Sequence, residues 1–266
     1  MRLRRTLAFL CLGILLMGGV HLFARNRWWQ YEREMQDPID DPPDANVPAE
    51  FAFGRLRYRS PQDGGRGRRA RWGTDANKGE RLFIIALRRL SLINAQSIEQ
   101  IVDIASDDVY DWPFLYAVAA GDWSLTEDEA KRLGNFFERG GFLVVDDVHN
   151  DREWGDFMYG INQAMPDSSD EEIPDGDPIF HLTYDISDRV QISGYNIVRG
   201  SPYERGGITP HWRAVRDAKG RIVAAGWHNQ DLGDAWEYAD ASEYPEDLSN
   251  RAFRFGVNYV TYAMTH

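Results

Sequence analysis

Two acids and a histidine follow a short apolar segment near the middle of the chain. Residues 142–145 form an unbroken apolar run of the kind found in buried parallel strands, and Asp146, Asp147 and His149 come after it. Two carboxylates and an imidazole can bind a divalent cation, or they can act as general acid and base. We therefore take these three as candidate catalytic residues. A structural interpretation also stays open, in which one aspartate caps the next helix.

A second polar group lies in the motif HNQDLGD. His228, Asp231 and Asp234 follow one another at intervals of three residues, and carboxylates with an imidazole suit a divalent metal. They form a candidate metal site. The alternative is a rigid turn that the aspartate side chains and Gly233 hold in place.

Aromatic and charged residues form a third candidate group. Side chains of these types line pockets for anionic or sugar-like ligands, and tryptophans near strand ends favour carbohydrate or peptide binding. A hydrophobic cluster at the edge of the domain is the alternative. The candidate ligand-binding residues are Arg57, Tyr58, Trp72, Asp75, Asp122, Trp123 and Trp227.

The sequence around the first group indicates the elements that must position it. Thr126 and Glu129 have the spacing of a capping box, so a helix should begin after Thr126. Gly140 and Gly141 should end that helix, and residues 142–145 should form the next strand. In open α/β sheets the ligand crevice lies beyond the carboxyl ends of the strands. A functional site is therefore predicted at the end of this strand, with both aspartates in the loop beyond it.

The rest of the chain alternates strand and helix patterns and then changes character. Residues 113–165 have the strand–helix–strand–helix pattern of a parallel βαβ unit, which predicts an α/β fold. After residue 167 the sequence predicts an irregular, β-rich part and then a final helix capped by Ser249. The other predicted elements are strands at residues 51–58, 98–104, 212–216 and 221–227, and helices at 77–90 and 151–165.

Composition and charge exclude several kinds of function. The 266 residues are 43% hydrophobic, which is enough for one sizeable core, and carry a net charge of −12. This acidic balance argues against nucleic-acid binding, because nucleic-acid-binding domains usually have a basic face. Cys11 is the only cysteine. A single cysteine outside the folded domain excludes an intramolecular disulfide, a thiolate metal site and a cysteine nucleophile in that domain.

The N-terminal residues have the pattern of a targeting segment. Arg2, Arg4 and Arg5 precede an apolar run that extends to Ala24 and is close to the length that spans a bilayer. Residues 1–24 are expected to be either a signal peptide or a signal-anchor helix. Residues 25–50 should be an acidic, proline-rich linker, and residues 51–266 the folded domain. We expect an exported or membrane-anchored protein, with this domain on the periplasmic side.

Four stretches resemble the bacterial family catalogued as domain of unknown function 4159. They are FLYAVAAGDWSLTEDEAKRLGNFFERGGFLVVDD, DPIFHLTYDI, HNQDLGDAWEYAD and YPEDLSNRAFRFGVNYVTYAMTH. The resemblance extends over roughly residues 51–266, and the family has no established activity.

The resemblance implies a fold similar to the class I glutamine amidotransferases, a three-layer, mostly parallel sheet related to flavodoxin-like folds. Amidotransferases of that fold have a cysteine nucleophile on the turn after a strand, whereas Asp146 and Asp147 stand at the comparable position after Val145. Glutamine hydrolysis by that mechanism is therefore excluded. Members of the family tend to be encoded near MoxR-type ATPases and von Willebrand A-domain proteins, which implies an envelope protein partner.

Three functions stay open on these observations. The first is non-catalytic binding of a ligand or partner protein in the bacterial cell envelope, favoured by the missing cysteine and the polar loops. The second is a metal-dependent hydrolase that uses Asp146, Asp147 and His149, together with His228 and Asp231. The third is an envelope assembly factor that works with a MoxR-type ATPase. No cofactor is identified, although the acidic loops suit a divalent metal.

Overall fold

The structure, a computed structural model, describes residues 31–36, 38–61, 63 and 70–266. In this part of the chain seven strands form one sheet: Gly54–Arg57 (β1), Gln100–Asp103 (β2), Phe114–Val118 (β3), Phe142–Val148 (β4), Asp170–Glu172 (β5), His211–Arg216 (β6) and Ile222–His228 (β7). The α-helices are Lys78–Leu90 (α1), Glu127–Glu138 (α2), Asn150–Ala164 (α3), Leu232–Glu237 (α4) and Glu246–Thr265 (α5). The predicted α/β fold with a final helix is confirmed.

The sheet is parallel except at one edge. Its strand order is β2-β1-β3-β4-β7-β6-β5, in which β6 pairs antiparallel with both β7 and β5. Numbered along the chain, the five parallel strands have the order 2-1-3-4-5, which is the doubly wound order of flavodoxin-like sheets. The winding reverses between β1 and β3. Ligands of such sheets bind beyond the carboxyl ends of the strands at this reversal.

Helices cover both faces of the sheet, so the fold has three layers. α1, α4 and α5 pack on one face, where the ring centroids of Phe83 and Trp236 are 4.5 Å apart. α2 and α3 pack on the other face around Phe137 and Phe157. The central strands β3 and β4 are buried along their whole length, which accounts for their apolar sequences.

Local sequence signals fix most element ends as predicted. The Thr126 side chain accepts a hydrogen bond from the Glu129 amide, and Glu129 Oε2 accepts one from the Thr126 amide at 2.8 Å. These two bonds form the predicted capping box of α2. Gly140 has a φ of +99°, the left-handed conformation that ends a helix cheaply at glycine.

The prediction that Asp146 and Asp147 lie in a loop is wrong, because β4 continues to Val148. The reason is a bulge. Between Val145 and Val148 the pairing of β4 with β7 shifts register, and Asp147 has a φ of +52°. A bulge redirects side chains while the strand stays paired, so a strand residue can serve a site at the sheet's end.

Other differences have simple causes. Ser249 lies inside α5 and does not cap it, because the helix begins at Glu246 behind Pro245 and has acids in its first turn. β1 is shorter than the strand predicted at 51–58. α4 and β5 were not predicted, since six and three residues are too few to show a periodic pattern.

The predicted targeting segment at residues 1–24 lies outside the described residues. Among the helices that the structure does describe, none is both long enough and apolar enough to cross a bilayer. Part of the acidic stretch before residue 51 contacts α1, where Asp41 and Asp44 pair with Arg81 and Arg88 at 2.8 and 3.0 Å.

Arg55 is a buried cation that ties β1 to the loop after it. Its side chain is 1% exposed and forms an ion pair with Glu80 of α1. Its Nε donates to the backbone oxygen of Trp72 at 2.9 Å, and its Nη2 donates to the backbone oxygen of Thr74. These bonds fix the backbone that leads directly to Asp75.

Replacing Arg55 with methionine should destabilise the protein by about 3–5 kcal/mol, because the Glu80 carboxylate stays buried without a counterion. The double variant Arg55→Met/Glu80→Met should recover part of this loss. Urea unfolding measures the free energy of unfolding of the two single variants, Arg55→Met and Glu80→Met, and of the double variant. Losses that add up fully in the double variant would show that the two charges are not coupled.

Candidate metal centre

The first group of candidate ligands consists of Asp147, His149 and Glu204. Asp147 lies in the β4 bulge, His149 immediately precedes α3, and Glu204 belongs to the long loop between β5 and β6. One ligand atom from each lies within 4.8 Å of the other two. Asp147 and His149 are buried, whereas the Glu204 side chain keeps 12% of its surface exposed.

The second group consists of Asp75, Asp231 and Asp234, whose ligand atoms also lie within 4.8 Å of one another. Asp75 lies in the loop between β1 and α1 with a φ of +60°. Asp231 caps α4, where its Oδ1 accepts a hydrogen bond from the Asp234 amide at 2.9 Å. Asp234 Oδ2 accepts one from the Tyr195 amide at 2.5 Å.

The two groups meet beside Gly194. A Cβ atom at this position would lie 2.3 Å from Glu204 Oε1 and 2.8 Å from the Oδ2 atoms of Asp231 and Asp234. Any other residue would therefore clash with carboxylates of both groups. The six residues line one space, which we call the acidic pocket: Asp75, Asp147, His149, Glu204, Asp231 and Asp234.

Two residues of the acidic pocket have buried polar atoms without a partner. Asp75 Oδ2 and both ring nitrogens of His149 make no hydrogen bond to any described residue. His149 Nε2 is 3.2 Å from Asp147 Oδ1, but the two atoms are not aligned for a hydrogen bond. A buried polar atom without a partner costs about 1–3 kcal/mol, so such atoms commonly mark a place where an ion or a water molecule binds.

Burial and mutual repulsion change the pKa values of the pocket carboxyl groups. Burial raises the pKa of Asp75 and of Asp231 well above the usual range, and the Asp234 carboxylate raises both further. Burial also raises the pKa of Asp234 to about 6, with the charges of Asp147 and Glu204 adding to the effect. Burial and mutual repulsion therefore oppose the ionisation of these carboxyl groups, and a bound cation would favour it.

Arg205 neutralises one carboxylate of the pocket. Its Nη2 donates to Asp147 Oδ1 at 2.6 Å, and its Nε is 3.1 Å from Glu153. Although burial opposes ionisation of Asp147, the guanidinium of Arg205 and the His149 ring hold its pKa below its usual range. Asp147 is therefore ionised and ready to bind a cation.

Asp146, the neighbour of Asp147, has a different environment. It is fully buried and accepts hydrogen bonds from the Tyr116 hydroxyl at 2.7 Å and from the amides of Leu232 and Gly233 at 3.1 and 2.6 Å. These amides belong to the first turn of α4. The contacts use both oxygens of Asp146 to hold α4 against β4.

The sequence profile of a family described as Domain of unknown function (DUF4159) matches residues 52–264. The chain belongs to this family. The match includes every residue of the acidic pocket, and it confirms the family resemblance drawn from the sequence. No curated protein matches the chain. The function of this DUF4159 domain must therefore be inferred from its site.

His228 does not join Asp231 and Asp234 in the acidic pocket of the DUF4159 domain. Its Nε2 lies 3.1 Å from the backbone oxygen of Asn150, and its ring stacks on Trp154 at 4.9 Å. His228 is 1% exposed, and burial lowers its pKa to about 4. It is therefore a neutral residue of the interior.

Most of the candidate ligand-binding residues are held by contacts within the fold. Arg57 pairs with Glu34 and Asp103, the Tyr58 hydroxyl donates to the backbone oxygen of Val118, and Trp72 Nε1 donates to Glu34. Trp123 packs on Phe157, and Trp227 packs on Tyr259. Asp75 belongs to the acidic pocket, and Asp122 accepts a hydrogen bond from Arg71 at 2.7 Å.

The sequence did not single out Glu204 or Arg205. They lie in a loop of more than thirty residues between β5 and β6, so no strand end or helix cap marks them. Their only local sign is the cluster of glycines at 200, 206 and 207 around two opposite charges.

Replacing Asp146 with alanine should destabilise this DUF4159 domain by about 2–4 kcal/mol, because two amides and a buried hydroxyl lose their acceptor. Tyr116→Phe, which removes one of these bonds, should cost about 1 kcal/mol. Urea unfolding measures both. A loss no larger for Asp146→Ala than for Tyr116→Phe would contradict the role in holding α4.

The pKa of His228 predicts a pH dependence of stability. Because its pKa of about 4 in the folded protein is below the usual 6.5, the unfolded chain binds the extra proton between these values. The stability from the neutral ring is complete above pH 6.5 and is lost as the pH falls towards 4. At pH 4.5 this loss is on the order of 2 kcal/mol.

The matched variant His228→Asn keeps a donor for the Asn150 oxygen and does not titrate. It should cost stability at pH 7.5 and clearly less at pH 4.5, as measured by urea unfolding at both values. A difference from the wild type that does not change with pH would show that folding does not lower the pKa of His228.

Proposed function

We propose that this DUF4159 domain is a divalent-cation-dependent hydrolase whose cations bind in the acidic pocket. One observation carries the proposal: five carboxylates and one imidazole converge on a buried space beyond the carboxyl ends of β4 and β7. The unpartnered atoms of Asp75 and His149 support it, because a ligand there would satisfy them.

The geometry of each group fits an ion. Two ligands that each lie about 2.4 Å from one ion can be at most about 4.8 Å apart. Both groups meet this limit. Carboxylate oxygens suit Mg²⁺, Ca²⁺ and Mn²⁺, and an imidazole also suits Zn²⁺. Two groups side by side correspond to two cations, the arrangement with which phosphatases and nucleases stabilise attacking and leaving oxygens.

The residues of the chain would take distinct roles in hydrolysis. A divalent cation supplies Lewis acidity, which polarises the bond to be cleaved and activates water. His149 has two ring nitrogens without a hydrogen bond, so one can bind the cation while the other exchanges a proton. Arg205 places a fixed positive charge beside Asp147, where it can stabilise negative charge that develops in the transition state.

The enclosure of the pocket favours a second candidate function. Asp75, Asp147, His149 and Asp231 are each at most 4% exposed. A cation enclosed by such residues could be structural, and the domain would then bind a ligand or an envelope partner without catalysis. Glu204, Arg205 and Asp234 are partly exposed, so the pocket has a side from which a substrate can approach.

Adding Mn²⁺, Mg²⁺, Ca²⁺ or Zn²⁺ to the EDTA-treated full-length protein should raise its Tm. A ligand that binds only the folded state adds about 2.7 kcal/mol at one hundred times its Kd. For a chain of this size the rise in Tm would be about 5–10 °C. Differential scanning fluorimetry with each cation measures it.

Asp75→Asn should have opposite effects in the two conditions. In EDTA it should raise the Tm, because it removes a carboxyl group whose ionisation is opposed by burial and by the neighbouring carboxylates. It should abolish the further rise with cation. His228→Asn, a buried residue outside the acidic pocket, should keep that rise. A wild type whose Tm responds to none of the four cations would contradict the proposal.

Turnover separates the two candidate functions. The cation that raises the Tm most should support hydrolysis of at least one member of a panel of chromogenic esters, and His149→Ala should lower kcat by about 10²-fold or more. A cation-dependent rise in Tm without turnover of any ester would favour the structural cation and the non-catalytic function.

A further inference from the structure

Two arginine side chains lie beside the acidic pocket on its exposed side. Arg71 comes from the loop after β1, and its Nε donates to Asp122 Oδ2 at 2.7 Å. Arg205 comes from the loop between β5 and β6 and is held by Asp147 and Glu153. The two side chains keep 27% and 33% of their surfaces exposed.

The backbone after β3 brings these arginines to one place. Gly121 adjoins Asp122, the partner of Arg71, and packs directly on α3, because a Cβ atom at Gly121 would lie 2.7 Å from Glu153 Cβ. The Glu153 carboxylate holds Arg205 at 3.1 Å. One short contact between Gly121 and Glu153 therefore joins the anchors of both arginines.

The electrostatics agree with this geometry. The pKa of Arg71 is raised overall: burial lowers it, the carboxylates of Asp147 and Asp122 raise it, and the guanidinium of Arg205 lowers it. Arg71 therefore interacts with Asp147 and with Arg205 although it touches neither.

Both arginines have donors that the fold does not use. Nη1 and Nη2 of Arg71, and Nη1 of Arg205, make no hydrogen bond to any residue that the structure describes. Arginine presents its donors as a planar fork that matches the oxygens of phosphate and carboxylate groups. The fork of Arg71 and the Nη1 atom of Arg205, which lies 3.8 Å from Glu204, form a place for an anion beside the cation site, not for a neutral sugar.

The location agrees with the topology of the sheet. Arg71 follows β1 and its anchor Asp122 follows β3, and the winding of the sheet reverses between these two strands. Ligands of doubly wound sheets bind at this reversal, beyond the carboxyl ends of the strands.

From these contacts we infer that the substrate of the proposed hydrolase is a phosphate monoester, bound between Arg71, Arg205 and the cations of the acidic pocket. The inference rests on the proposed function, because without cations the pocket carboxylates would repel the phosphate. In the reaction water adds to phosphorus, the ester P–O bond breaks, and a proton from the water passes to the leaving oxygen. The products are an alcohol and inorganic phosphate.

Inorganic phosphate is the probe, measured by isothermal titration calorimetry with the full-length protein. The wild type saturated with the cation that raises its Tm should bind phosphate, and the EDTA-treated protein should not. Arg71→Gln should weaken phosphate binding about tenfold or more without reducing the cation-dependent rise in Tm, because Arg71 contacts no residue of the acidic pocket and the loss of a positive charge near Asp147 does not weaken cation binding. Arg71→Lys keeps the charge but loses the fork, so its phosphate affinity should lie between those of the wild type and Arg71→Gln.

Arg132→Gln is the matched control. Arg132 lies on α2, is 29% exposed and binds one carboxylate through Nε, as Arg71 does, but it is not near the acidic pocket. The Arg132→Gln variant should bind phosphate with the same affinity as the wild type.

Two results separate the failure of this inference from that of the proposed function. An intact cation response with equal phosphate affinity in wild type and Arg71→Gln would overturn the phosphate site alone. The same would follow if acetate bound as tightly as phosphate, because the site would then be for carboxylates. A wild type without any cation response would overturn both.

Discussion

Repulsion between buried carboxylates is the constraint on which this site depends. Asp75, Asp147 and Asp231 are almost without solvent contact and share one pocket with Asp234 and Glu204. Charges in a protein interior interact several times more strongly than in water. Among the described residues Arg205 pairs closely with Asp147 at 2.6 Å and more distantly with Glu204 at 3.8 Å. Burial and repulsion oppose ionisation of Asp75, Asp231 and Asp234, and a bound cation would offset both effects.

The fold brings these charges together by placing each ligand where a regular element ends or is interrupted. Asp147 lies in a strand bulge, His149 before a helix, and Asp231 at a helix cap. Asp75 and Asp147 also have positive φ angles, which cost a non-glycine residue roughly 1–3 kcal/mol. Arg55 holds the backbone immediately before Asp75, and Arg205 donates to both the backbone oxygen and the carboxylate of Asp147. Strain and repulsion at one place in an otherwise regular sheet are typical of a functional site.

The sequence was sufficient for features that depend on near neighbours in the chain. The capping box at Thr126, the glycine end of α2 and the apolar strands all follow from local spacing, and so does the placement of Asp147 and His149 at a strand end. The acidic pocket depends on contacts between distant segments. Asp75 joins Asp231 across more than 150 residues, and Glu204 comes from a loop without a periodic pattern. No local spacing could show that these residues meet.

Asp146 and Asp147 show why residue type alone does not assign a role. They are adjacent, chemically identical and both buried. Both oxygens of Asp146 accept hydrogen bonds, from a hydroxyl and two amides. Asp147 instead lies beside the side chains of an arginine and a histidine. The pairing of β4 with β7 also shifts register between Val145 and Val148, and Asp147 has a φ of +52°. Asp146 binds α4 on one face of the sheet, whereas Arg205, the partner of Asp147, is also held by Glu153 of α3, which packs on the other face. The role of each aspartate therefore follows from the elements that it meets, and not from its residue type.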